Sequence, residues 1–101
     1  MKQEMRIYIS VPMNGRSEAA IMADIVSAEA TLSELGYTPV RPIMEQNKDR
    51  NDCLGKAVTT VLNCDGIYLC KGWQYSRGCL LEKATAYISD DKMIIYYDQL
   101  N

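Results

Sequence analysis

Two rhythms of apolar positions alternate along the chain. Arg6-Ile7-Tyr8-Ile9-Ser10-Val11 is β-branched and aromatic and predicts a first strand, which Pro12 stops. Met13-Asn14-Gly15-Arg16 reads as a turn. Ser17 then caps a helix in which Ala20, Ile21, Asp24, Ile25, Ala28 and Leu32 keep a 3.6-residue spacing, with Leu35 ahead of a Gly36 stop. Tyr37-Thr38-Pro39-Val40-Arg41-Pro42 predicts a short second strand whose two prolines favour a sheet edge. Residues 43–51 are polar and aperiodic, with Glu45, Lys48, Asp49 and Arg50 close together, and predict a mobile loop near the site. Asn51 or Asp52 is the expected cap of a second helix, whose stripe of Leu54, Ala57, Val58, Val61 and Leu62 ends at Asn63. The run Ile67 to Cys70 predicts a third strand ended by a Gly72 turn, and Ser76 is the natural cap of a third helix spaced by Cys79, Ala86 and Ile88. After a Ser89-Asp90-Asp91-Lys92 turn, Met93-Ile94-Ile95-Tyr96-Tyr97 completes the sheet as a fourth strand.

Strand-helix-strand repeated three times, with helices of ten or more residues, implies crossover connections and a parallel sheet covered on both faces. The expectation is one α/β domain over residues 1–101: a three-layer αβα sandwich of Rossmann or flavodoxin type with strand order 2-1-3-4. In that order the chain reverses direction between the first and third strands, and a crevice lies over their carboxyl ends. Two loops meet there, Ser10 to Arg16 and Lys71 to Ser76.

Composition removes several alternatives. A 48% hydrophobic fraction suffices for a core, and a net charge of −2 with mixed signs leaves no basic stripe for a nucleic acid polymer. No apolar run is long enough for a membrane span, and the polar start Met1-Lys2-Gln3-Glu4 does not read as a signal peptide, so a cytoplasmic protein without a membrane partner is expected. Cys53, Cys64, Cys70 and Cys79 form no CxxC pair and histidine is absent, which argues against zinc; the thiols read as small buried apolar groups, and no cofactor is expected. Without histidine the commonest general base is missing, and so is any Ser-His or Cys-His nucleophile pair. Chemistry here would use carboxylates, Tyr, Lys or Arg.

The strand-turn-helix stretch from Asp65 to Ile88 carries the most chemistry. Behind Ser76 the first-turn N–H groups of the third helix lack partners and carry the positive end of the helix dipole, a setting suited to an anion. Arg16 and Arg77 flank that position. Glu82 lies about two turns in, with Leu80, Leu81 and Ala84 as neighbours, an acid in the wall of the expected crevice. Bland readings stand beside these: Glu82 as a solvated helix residue next to Lys83, Ser76 as a simple cap, Tyr8 as strand packing, Asp65 as a turn residue, Trp73 as either a stacking platform or an interface anchor.

The same stretches resemble a known family. Ile7-Tyr8-Ile9-Ser10-Val11-Pro12-Met13-Asn14-Gly15, Leu35-Gly36-Tyr37, Cys64 to Leu69, and Gly72-Trp73-Gln74-Tyr75-Ser76-Arg77-Gly78 with Glu82 and Ala86 are similar to the nucleoside 2-deoxyribosyltransferase superfamily, above all its short members. The resemblance covers nearly the whole chain and is most specific at Gly72-Trp73, Ser76, Gly78 and Glu82. It implies that Glu82 is a nucleophile that attacks the anomeric carbon and that Tyr8 orients it; both would be catalytic. In the branch that hydrolyses deoxynucleoside monophosphates a serine at the position of Ser76 helps hold the phosphate. Ser10, Pro12, Met13, Asn14 and Gly15 on the first loop, with Gly72, Trp73, Ser76 and Gly78 on the second, would then bind substrate. Two positions depart from the family pattern: Val11 stands for its usual glycine, and Ala57 for the aspartate that protonates the leaving base.

The resemblance implies a nucleoside or nucleotide as the small-molecule partner and a homo-oligomer, which also suits a domain this small. Three functions follow as expectations: an N-glycosidase or deoxyribosyltransferase acting through Glu82, a nucleotide-binding module with little or no turnover, and an interaction protein using Trp73, Tyr75 and Tyr87.

Overall fold

The computed structural model describes residues 4–44 and 50–100. Its elements are β1 (Arg6–Ser10), α1 (Glu18–Glu34), β2 (Thr38–Val40), α2 (Arg50–Leu62), β3 (Gly66–Leu69), α3 (Arg77–Ile88) and β4 (Met93–Tyr96). All the strand pairings are parallel and the sheet order is β2-β1-β3-β4, as the alternation predicts. Two 3₁₀ turns, Trp73–Tyr75 and Tyr97–Leu100, add to the expected elements, and the second takes Tyr97 out of the last strand.

The expected punctuation is present at α1. Ser17 Oγ accepts the Ala20 N–H at 3.1 Å, and Gly36 follows the helix at φ +86°, a left-handed backbone in which other residues are strained. β2 is an edge strand of three residues, shorter than the six expected; Pro39 and Pro42 have no N–H to donate, so pairing dies out around them. The start of α2 differs from expectation. The helix already runs from Arg50, so Asn51 and Asp52 fall inside it rather than ahead of it. Glu45, Lys48 and Asp49 of the expected loop lie outside the described residues, as does the start Met1-Lys2-Gln3.

Alternation along β1 divides the core in two. Ile7 and Ile9 pack with Ile21, Ile25, Ala28 and Leu32 of α1, while Tyr8 packs on the opposite face with Val61 of α2 and Ala86 of α3. One helix therefore covers one face and two cover the other, which gives the three layers. β3 is buried along its whole length, as befits a central parallel strand. Cys64, Cys70 and Cys79 are buried, in agreement with their reading as apolar filler, whereas Cys53 is only half-buried; burial pushes the Cys70 thiol up to about 12. Asp65 is a structural residue: its carboxylate accepts the Arg6 N–H at 2.8 Å and fastens the start of β1 to that of β3. Among the described residues no helix is long and apolar enough to cross a membrane.

Gly66 sets the spacing between β3 and β4. A Cβ there would lie 2.7 Å from the Met93 carbonyl oxygen and 3.0 Å from the Ile7 side chain, and a backbone atom in a paired strand cannot step aside cheaply. Gly66→Ala is expected to cost about 1–3 kcal/mol through overpacking, read as a lower urea midpoint with unchanged slope. An unchanged midpoint would mean that β4 shifts freely on β3.

Candidate active site

Tyr8 and Ser10 are two apart on β1 and so project to the same face, the one under α2 and α3. On α3, Cys79, Glu82 and Ala86 follow helical spacing and all turn inward. These two periodicities bring the groups together. The Tyr8 hydroxyl donates to Glu82 Oε2 at 2.7 Å and the Ser10 hydroxyl donates to Oε1 at 2.6 Å, both inside the protein. Glu82 is 8% exposed, Tyr8 and Ser10 almost wholly enclosed. The solvated-helix reading of Glu82 is therefore excluded. Its neighbour Lys83 turns the other way, with its ammonium 5.0 Å from the centroid of the Trp73 ring.

Burial holds the Glu82 pKa above the usual carboxylate range, opposed in part by the hydrogen bonds from Ser10 and Tyr8. Tyr8 is pushed far up, first by burial and then by the Glu82 charge, so its phenol remains a donor. The result is a carboxylate with both oxygens oriented by neutral hydroxyls.

Glu82 forms part of the wall of a cavity of about 680 Å³ over the carboxyl end of β1. The β1–α1 loop supplies Val11, Met13, Asn14, Gly15 and Arg16, and the start of α3 supplies Ser76, Arg77, Gly78 and Cys79. Ser76 caps α3 as expected, its Oγ accepting the Cys79 N–H at 3.2 Å. The Arg16 guanidinium is already engaged, donating to the Pro12 carbonyl at 2.9 Å and pairing with Asp24 at 2.7 Å, so it braces its own loop.

Four of the expected binding positions are not in the cavity lining. Ser10 lies behind Glu82 and acts on the carboxylate. Pro12 and Gly72 sit where the two loops approach each other; a Cβ on Gly72 would be 3.5 Å from the Pro12 ring, and Gly72 itself takes φ +89°. Trp73 is directed by that turn toward the sheet edge, where it packs on Tyr96 with ring centroids 5.4 Å apart. Conversely, Cys53, Leu54 and Ala57 of α2 line the cavity, together with Ile43 and Met44 at the end of the described loop. Their helical stripe is legible in the sequence, but apolar periodicity does not distinguish a core position from a cavity wall. Tyr75, expected as an interface residue, stands at the cavity rim and is 93% exposed.

Fold and site together define a small parallel α/β domain with, among the described residues, one oriented, buried carboxylate at its topological switch point. The family described as "Domain of unknown function (DUF4406)" matches residues 5–96, and the chain belongs to it. No curated protein matches the chain.

The buried carboxylate makes stability depend on pH in a definite direction. Between the usual glutamate value of 4.5 and the raised folded value, the folded protein keeps a proton that the unfolded chain has released. The contribution of Glu82 to stability is therefore full below the unfolded pKa and lost as pH rises through the folded one. Glu82→Gln removes this dependence, so the wild type is expected to lose stability relative to the variant as pH rises from 4.5 to the raised folded value, read in urea titrations. A constant difference across that range would mean a solvated carboxylate.

Proposed function

We propose that the protein cleaves or transfers the N-glycosidic bond of a nucleoside or nucleotide, with Glu82 as the nucleophile. One observation carries this reading: the carboxylate is buried, held at both oxygens, and set in the wall of a cavity large enough for a sugar and its base. N-glycosidic cleavage passes through an oxocarbenium-like state that a fixed carboxylate stabilises or traps, and it needs neither metal nor histidine.

In this mechanism a Glu82 oxygen bonds to the anomeric carbon as the carbon–nitrogen bond breaks, and the bonding pair leaves with the base. Water or the nitrogen of a second base then attacks the anomeric carbon, its proton passing to the departed base, and the ester carbon–oxygen bond breaks to restore the carboxylate. Tyr8 and Ser10 position the nucleophile. Gly78, where a Cβ would make only ordinary contact with Ser76 Oγ at 3.9 Å, leaves room at the start of α3, and the Ser76 turn meets a substrate phosphate where one is present. The resemblance to the nucleoside 2-deoxyribosyltransferase superfamily, with Glu82, Tyr8 and Ser76 at corresponding positions, supports the same assignment.

Ala57 favours a second reading. It lines the cavity at the position that corresponds to the proton-donating aspartate of that superfamily, and a methyl group supplies no proton. Loss of a general acid costs roughly 10²–10⁴ in rate. A nucleotide-binding module with the same pocket and slow or no turnover follows from that deficit.

Incubation with deoxynucleosides and their monophosphates, followed by chromatography of the free base, tests the first reading. Base release is expected to rise with pH as Glu82 ionises and to vanish in Glu82→Gln, a variant that retains partners for Tyr8 and Ser10. Release that survives in this variant removes Glu82 from the mechanism. No release, combined with a thermal shift on adding nucleotide, selects the binding module; ligand at 100 times its Kd adds about 2.7 kcal/mol. Ser76→Ala is expected to weaken monophosphate binding more than nucleoside binding, and equal effects would show that the helix end does not meet phosphate.

A further inference from the structure

Ala57 and the wall around it bear on which base the cavity accepts. α2 and the segment before it contribute mainly apolar groups to that wall, Ile43, Met44, Leu54 and Ala57, while α3 contributes Glu82. The chain has no histidine, and among the described lining residues Glu82 is the one carboxylate. The usual donors of a proton to a leaving base are an imidazole or a carboxylic acid. A single carboxylate cannot attack the sugar as an anion and hand over a proton in the same step.

A neutral base that leaves without a proton departs as an anion, and an apolar enclosure makes an unpaired charge costly. A base whose ring already carries a positive charge behaves differently. A Glu82 oxygen donates a pair to the anomeric carbon, the carbon–nitrogen bond breaks, and its bonding pair neutralises the ring. At the reacting centre a carboxylate and a cation become an ester and an uncharged base, with no proton required. Water then adds to the anomeric carbon, the ester carbon–oxygen bond breaks, and the proton goes to solvent.

The surroundings of Glu82 suit such a cation. Neutral hydroxyls of Tyr8 and Ser10 hold its oxygens, and Cys79 shares its face of α3. Lys83 lies over Trp73, Arg16 is paired with Asp24, and Arg77 is exposed at the start of the helix. A positive ring in the cavity offsets the desolvation that burial imposes on the carboxylate. Tyr75, 93% exposed at the rim, leaves an aromatic surface open to a flat cation, and Met13 and Met44 add polarisable sulfur to the wall.

We infer that the preferred substrate is a nucleoside or nucleotide whose base is a cationic ring, as in a pyridinium nucleoside or an N7-alkylated purine nucleoside. The inference rests on the reading of Glu82 as an N-glycosidic nucleophile, and it makes Ala57 a choice of substrate rather than a loss of turnover.

Nicotinamide riboside and 7-methylguanosine are the cationic probes, and dihydronicotinamide riboside and guanosine are neutral counterparts of closely similar shape. Each is offered in ribo and 2′-deoxy form, with and without a 5′-phosphate, and base release is read by chromatography above a Glu82→Gln blank. Release is expected to be at least about 10²-fold faster for the cationic member of each pair. Release from only one cationic probe supports the inference and identifies the ring. With nicotinamide riboside, whose ring does not titrate, the rate is expected to rise with pH to a plateau. Ala57→Asp is expected to extend release to the neutral probes. Neutral probes cleaved within about tenfold of their cationic partners overturn the inference and leave the N-glycosidase reading standing. A descending alkaline limb with nicotinamide riboside also overturns it, since that limb reports a protein acid protonating the base. No release from any probe overturns both.

Discussion

The clamp of Tyr8 and Ser10 on Glu82 is the interaction on which the site depends. A carboxylate taken out of water without partners costs several kcal/mol, and the chain would sooner keep it protonated or turn it outward. Two neutral hydroxyls at 2.7 and 2.6 Å offset part of that cost and leave the charge available. They also connect the central strand of the sheet to the helix that covers it, over more than seventy residues of sequence. The orientation of the carboxylate is therefore as rigid as the packing of α3 on β1.

That rigidity has its origin in the alternation along β1. Ile7 and Ile9 supply the face under α1, while Tyr8 and Ser10 supply the face under α2 and α3. A one-residue slip in register would exchange the two sets, burying two hydroxyls among the apolar side chains of α1 and leaving Glu82 without donors. Parallel pairing with β2 on one side and β3 on the other resists such a slip, and the Asp65 contact to the Arg6 N–H fixes the start of the strand. Structural and chemical requirements thus fall on the same five residues.

α3 carries the corresponding load on the other side. Its inward face holds Cys79, Glu82 and Ala86 against the sheet, and its first turn, capped by Ser76, opens on the cavity. Lys83, the next residue along the helix, points away from Glu82 and lies over Trp73. A lysine beside that carboxylate would pull its pKa down; with Lys83 elsewhere, burial dominates and the pKa stays high.

The sequence by itself determined the architecture and singled out the stretch that carries Glu82. Periodicities of two and 3.6, the caps Ser17 and Ser76, and the stops Gly36 and Gly72 are local signals, and local signals suffice to order four strands and three helices. The strand-turn-helix stretch ending in Glu82 is equally local. Tertiary structure alone decided which face each chemical group meets. That Ser10 would act on Glu82 rather than line the cavity, that Trp73 would leave the site for Tyr96, and that Ala57 would stand in the cavity wall all depend on contacts between residues far apart in the chain. A pattern of apolar and polar residues specifies that a position is turned inward; only the packing of one element on another specifies whether a protein side chain or a cavity lies on the other side of it.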